Sequence, residues 1–320
     1  MEWRNQSVIT KFILLGFANN QELRLLLFLV FLVIYVLTVA GNILIIVLVA
    51  ADRHLHTPMY FFLGNLSWLE TCYTSTILPR LLADLRTGDR TISFTGCITQ
   101  LYFFGILAAA ECYLLAAMSY DRYLAICKPL HYTIIMNGRF CLQLAAGSWI
   151  SAFLATSITI SFVSQLTFCG SNEIDHFFCE LNPVIKLSCN DTKVLELLVF
   201  LCASIFIVTP FLLTVISYVL IITLVQRIPS VTGKQKAFST CSSHLIVVTT
   251  FYGSLMIVYL LPKNKTLSDL NKLFSVFYTV LIPLVNPLIY SLRNKDVKRA
   301  LKKKIFSYLF GFAKNSEEQS

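Results

Sequence analysis

From Leu25 to Ala50 the sequence is apolar with Gly41-Asn42 as its polar break, long enough to cross the hydrocarbon core of a bilayer as one helix. Comparable stretches follow at about 58–85, 97–127, 140–161, 196–226, 237–261 and 271–292. Such a chain has little choice of fold class. No water inside a bilayer satisfies backbone N–H and C=O groups, so a spanning segment of this length is helical. The expectation is an all-α membrane protein, one seven-helix bundle over residues 1–320, with a terminus at 1–24 and a tail at 293–320. Composition agrees, because 56% of residues are hydrophobic and 13% charged, about half the charged share of a soluble domain.

The formal net charge of +9 suggests nucleic acid until the charges are placed. Fifteen of the 26 basic residues fall in the tail, the loops that alternate with it and their flanking span ends, against five acids there. The opposite side carries nearly balanced charge, and Glu70 and Glu111 sit inside spans. That asymmetry is the positive-inside pattern, so the basic side is expected to be cytoplasmic and the N-terminus extracellular, with a plasma-membrane location and no nucleic-acid partner.

Residues 1–24 lack the basic start, brief apolar core and small-residue cleavage site of a signal peptide. Asn5-Gln6-Ser7 is a glycosylation sequon in reach of the lumen, and Asn190-Asp191-Thr192 and Asn264-Lys265-Thr266 are two more whose use stays open. Asn65-Leu66-Ser67 matches the motif inside a span. Pro58 suits the first turn of a helix. Ala145, Ala146, Gly147, Ser148, Ser151 and Ala152 surround Trp149, and small residues let helices approach closely. Beyond Arg293-Asn294, Val297, Leu301, Ile305 and Leu309 recur every four residues on a basic stretch, the pattern of a short amphipathic helix along the inner leaflet.

Cys97 and three cysteines of the 162–195 loop (Cys169, Cys179, Cys189) lie on the oxidising side, and four cysteines permit three connectivities. A bridge from Cys97 to a loop cysteine would pin that loop over the bundle mouth. The other six read as packing residues; no CxxC or HxxxH spacing supports zinc.

Asp121-Arg122 ends the apolar run of the third span and is followed by Tyr123. Charge there is costly unless paired or reaching the headgroups, and a pair at the boundary can be broken from the water side. Glu70 and Glu111 are too costly to face lipid. If they approach one another, either one carboxyl stays protonated or a cation sits between them, sodium being preferred, with oxygens from Ser67, Asn42 or Asn286. Asn286-Pro287-Leu288-Ile289-Tyr290 breaks the seventh span, where Asn286 can refill carbonyls that proline frees or meet other polar groups, and Tyr290 becomes a lever. Arg122, Tyr218, His244 and Tyr290 fall at one depth on four spans. At the outer half, Phe104, Gly105, Ala108, Ala109 and Cys112 share a face, joined by Leu181 of the loop and by Cys202, Phe206, Tyr252, Leu255, Tyr259 and Thr279. This apolar, aromatic and sulfur lining suits a small, weakly polar ligand rather than a cationic amine.

Several motifs jointly resemble the olfactory receptors, a branch of the rhodopsin-like G-protein-coupled receptors. They are Leu55-His56-Thr57-Pro58-Met59-Tyr60-Phe61-Phe62-Leu63, Met118-Ser119-Tyr120-Asp121-Arg122-Tyr123, Ser217-Tyr218, Lys236-Ala237-Phe238-Ser239-Thr240-Cys241-Ser242-Ser243-His244-Leu245 and Pro287-Leu288-Ile289-Tyr290-Ser291-Leu292-Arg293-Asn294-Lys295. Phe251-Tyr252-Gly253, without a proline in the sixth span, also resembles that branch. Departures are Gly64 for the usual serine, Ser119 for a common alanine, and Glu70 for a frequent aspartate. The resemblance implies odorant binding, no enzyme activity, and coupling to a stimulatory G protein that raises cyclic AMP. It also implies bridges Cys97–Cys179 and Cys169–Cys189. The alternatives are a receptor for another small molecule or lipid, and a cation or proton transporter with Glu70 and Glu111 as its path, against which the lack of internal repeats and paired broken helices counts.

Overall fold

The computed structural model describes residues 10–17, 20–169, 171–227, 230–261, 265–293 and 297–304. In chain order come β1 (Lys11–Leu14), α1 (Gln21–Ala51), α2 (Pro58–Thr87), β2 (Thr91–Ser93), α3 (Phe94–Cys127), α4 (Pro129–Ile135) and α5 (Gly138–Val163). Then follow β3 (Glu173–Ile174), α6 (Leu181–Lys186), α7 (Lys193–Ala203), α8 (Thr209–Gln226), α9 (Val231–Leu260), α10 (Lys265–Val276) and α11 (Ile282–Arg293). π-helical turns at Ser204–Val208 and Phe277–Leu281 join α7 to α8 and α10 to α11. Pro210 and Pro283 each follow a π turn by two residues, and a widened turn accommodates the donor each proline lacks. Residues 297–304 are again helical, with Val297 buried and Lys298 and Arg299 exposed.

Local chemistry sets the ends. Asn20, Ser93 and Asn137 cap α1, α3 and α5 by accepting from the N–H groups of Glu22, Gly96 and Phe140. Gly88 closes α2 at φ +80°, where a side chain would be strained.

Gln21–Ala51, Phe94–Cys127, Gly138–Val163, Lys193–Gln226 and Leu270–Ile289 are long and apolar enough to cross a membrane, and His244–Leu260 is a shorter apolar stretch. Helix α2 is more polar yet lies between α1 and α3, and it buries Ser67, Glu70, Thr74 and Asp84. The result is the seven-helix membrane bundle expected from the sequence. Its solvent is lipid, so large apolar side chains such as Leu25, Val36, Ile150, Phe200 and Ile216 point outward. Helix α3 packs against α2, α5 and α8 and supplies much of the core.

Two features depart from the sequence reading. The N-terminal segment is not a featureless lead: β1 is the middle strand of a sheet, antiparallel to β2 and parallel to β3. Phe12 and Leu14 alternate inward and are fully buried, while their partners lie some 80 and 160 residues away, out of reach of any local pattern. The second concerns Pro287, which leaves the carbonyl of Pro283 without its helical donor. Asn286 was expected to refill such a carbonyl or to meet other polar groups; it does the second, donating to Glu70, and Asn42 of α1 takes the carbonyl, its Nδ2 donating at 3.1 Å. Gly41 permits this contact, since a Cβ there would lie 3.2 Å from the Pro287 ring. Asn42→Leu is therefore expected to strand a buried carbonyl and lower stability by about 1–3 kcal/mol, read as a lower melting temperature of the detergent-solubilised protein.

Candidate functional site

A cavity of about 140 Å³ lies in the half of the bundle under the sheet. Phe104, Gly105, Ala108, Ala109 and Cys112 line it from α3, Leu181 from α6, Cys202 from α7, Phe206 from the π turn, and Leu255 and Tyr259 from α9. These ten were expected from the sequence. Tyr252 and Thr279 were expected too but are not in the wall. Tyr252 is fully buried beneath it, donating its hydroxyl to the Cys112 carbonyl, and Thr279 turns back to the Ser275 carbonyl at 2.6 Å. The sequence reading missed the α5 wall of Ala155, Thr156, Thr159 and Ile160. Its signal was present: two threonines three apart on one face of an apolar helix. Gly105 matters here because a Cβ would come within 2.9 Å of the Thr156 methyl, so glycine sets how closely α3 approaches α5.

The lid above is tied down covalently and by rings. Cys97 is bonded to Cys179, and Cys169 to Cys189. Phe178 packs on Phe104 at 4.9 Å, and Phe177 on Phe17 at 4.7 Å. His176 bonds Ser275 at 3.3 Å, Ser275 bonds Tyr278, and Tyr278 bonds Tyr259, so a polar chain runs from lid to cavity wall. Burial and the charge of Lys272 push the His176 imidazole down to about 3, which keeps it neutral at physiological pH. Asp175 pairs with Lys272 at the rim.

Below the cavity, Glu70 and Glu111 are fully buried and close enough for their charges to interact. Asn286 donates to Glu70 Oε1. Among the described residues, Glu70 Oε2, both Glu111 oxygens and the amide oxygens of Asn42 and Asn286 have no hydrogen-bond partner. An all-oxygen set of this kind, two carboxylates among it, fits a hard cation and leaves a second answer, protonation of the carboxyls.

At the far end, Asp121 differs from its expected pairing. No ion pair to Arg122 within 4.0 Å forms among the described residues; Tyr132 of α4 donates to Asp121 Oδ1 at 2.8 Å. Adjacent helical residues diverge by about 100°, so Asp121 faces α4 while Arg122 lies half-buried toward α9, within electrostatic reach of His244 and Cys241. The Tyr218 hydroxyl and His244 Nδ1 are 2.6 Å apart, closing α8 on α9. Tyr123 packs against the cluster formed by Tyr218, Ile221 and Cys241. Asn286 and Pro287 are buried in α11. The side chain of Tyr290 and the sequons at Asn5 and Asn264 lie outside the described residues. Asn190 is exposed, its Oδ1 accepting from the Thr167 N–H.

Residues 31–308 match the family model described as "Olfactory receptor". Human olfactory receptor 6B1 is 51% identical over 303 residues, which cover 95% of this chain and 97% of that protein. Human olfactory receptor 10A7 is 49% identical, with 94% and 95% covered, and mouse olfactory receptor 5AP2 is 45% identical, with 96% of each covered.

The chain belongs to the olfactory receptor family. It is an odorant receptor, a multi-pass plasma-membrane protein of a family of receptors rather than enzymes. In this olfactory receptor the cavity, the buried carboxylates and the Arg122 end share helices. Helix α9 alone carries Tyr259 and Leu255 at the cavity, Tyr252 beneath it and His244 near Arg122.

Proposed function

We propose that the receptor binds small, weakly polar volatile molecules in the 140 Å³ cavity and relays binding along α9 to a stimulatory G protein that raises cyclic AMP. The cavity lining carries this reading. An apolar void of about 150 Å³ accepts a benzene-sized guest, so volume and chemistry both suit a compact odorant. The charge asymmetry of the loops supports an extracellular N-terminus and a cytoplasmic tail.

The ligand acts only through unequal affinity for two arrangements of the bundle. Cys112 lines the cavity and its carbonyl receives the Tyr252 hydroxyl, so a guest against Cys112 and Leu255 bears on the contact between α3 and α9. From Leu255 to His244 is roughly 16 Å along one helix, and tilting it separates His244 from Tyr218 and opens the space beside Arg122. Glu70, Glu111, Asn42 and Asn286 would hold a sodium ion in the arrangement described, supplying charge balance to two neighbouring carboxylates.

An odorant panel read by cyclic AMP in cells expressing the receptor tests this. Ala108→Leu adds bulk to the cavity, and overpacking costs about 1–3 kcal/mol, so potency should fall about tenfold or more at unchanged surface level. Unchanged potency across the panel would move the ligand elsewhere.

A further inference from the structure

A second and larger void, of about 590 Å³, lies outside the odorant cavity, between α3, α5 and α8. It occupies the half of the bundle nearer Arg122 and opens toward lipid, flanked by the exposed apolar side chains Leu142, Leu212, Val219 and Ile216. Its floor is small: Ala116, Ala117, Gly147 and Ser148. A Cβ built on Gly147 meets nothing within 4 Å, so the space there is open. The stretch from Tyr113 to Tyr123 is roughly 15 Å along α3.

The polar groups are unevenly placed. At the Arg122 end stand Tyr120, Tyr123 and Gln143, and among the described residues neither phenol nor the amide has a hydrogen-bond partner. Along the body the polar atoms are already used. Ser148 and Ser217 bond back to the carbonyls of Leu144 and Leu213, and Tyr113 donates to the Ile205 carbonyl in the π turn at 3.3 Å. The void is therefore an apolar slot with neutral donors and acceptors at one end. No charged side chain is in its wall, which disfavours a phosphate headgroup.

We propose that this cleft is a binding site for a membrane sterol, lying flat between α3, α5 and α8 with its single hydroxyl toward Tyr120, Tyr123 and Gln143. A rigid fused-ring lipid loses little conformational entropy on entering, and its one neutral hydroxyl matches the unpaired phenols and amide. The site is separate from the odorant cavity, and the proposal does not depend on which odorant binds there. Because Tyr123 adjoins Arg122 and Ser217 adjoins Tyr218, an occupant touches both helices of the signalling end.

The test uses the full-length receptor in phosphatidylcholine vesicles containing a diazirine-bearing cholesterol analogue, with adducts mapped by mass spectrometry. Adducts should concentrate on residues 113–123, 143–151 and 213–220, and excess unlabelled cholesterol should remove them. Gly147→Phe should lower their yield about tenfold, whereas Val36→Phe, on the lipid face of α1, should not. Should Gly147→Phe fail to fold, Tyr120→Phe combined with Gln143→Leu should reduce the yield instead. Adducts spread evenly over lipid-facing positions such as Leu26 and Val33, insensitivity to these substitutions, or competition by diacylglycerol as effective as by cholesterol would each overturn the assignment.

Discussion

Replacing Arg122 with alanine should reduce odorant-stimulated cyclic AMP to background while the receptor still reaches the cell surface. The structure explains why both halves of that result belong together. Asp121, the more deeply buried of the pair, is held by Tyr132 and does not depend on Arg122 for its hydrogen bond. Losing the guanidinium thus strands no partner and costs the fold little. What disappears is the cation beside His244 and Cys241, where α3, α8 and α9 converge. A cation in that position suits the C-terminal end of an arriving helix, whose last carbonyls carry partial negative charge. Surface labelling and cyclic AMP measured on the same cells separate the outcomes: retained signalling would remove Arg122 from the coupling mechanism, and lost expression would show a structural role.

The double substitution Cys97→Ala with Cys179→Ala should remove most folded receptor from the surface, and more of it than Cys169→Ala with Cys189→Ala. The first bridge spans 82 residues and the second 20, so loop closure alone is worth about 4.5 against about 3.3 kcal/mol. Position widens the gap. Both sulfurs of the first bridge are fully buried, and the Cys179 N–H donates to Gln100, whose own amide reaches the Thr76 carbonyl of α2. The segment it anchors also places Phe177 and Phe178 over the bundle. Flow cytometry of an N-terminal tag, with thermal unfolding of the purified protein, checks the order; equal losses would mean the lid is held by its aromatic packing instead.

The spans were legible because a bilayer requires long apolar runs, and the observed helices begin and end within a few residues of those runs. The fifth and the last are interrupted by the π turns at Ser204–Val208 and Phe277–Leu281, which no apolar count reveals. The lining on α3 was legible for a related reason: Phe104, Gly105, Ala108, Ala109 and Cys112 recur at helical spacing. The partner wall on α5 was not, because its identity depends on which neighbour α3 meets there, and Gly105 against Thr156 is what sets that meeting.

The sequence by itself determined the class of fold, the family, and ten of the side chains that line the cavity, since each is encoded in residue type and spacing. Only the tertiary structure decided who partners whom. Tyr132 rather than Arg122 satisfies Asp121, Asn42 rather than Asn286 satisfies the carbonyl that Pro287 frees, and β1 inserts between loops far along the chain. Buried polar groups take whichever donor packing brings within about 3 Å, and that distance is fixed by how helices and loops meet rather than by any pattern along one of them.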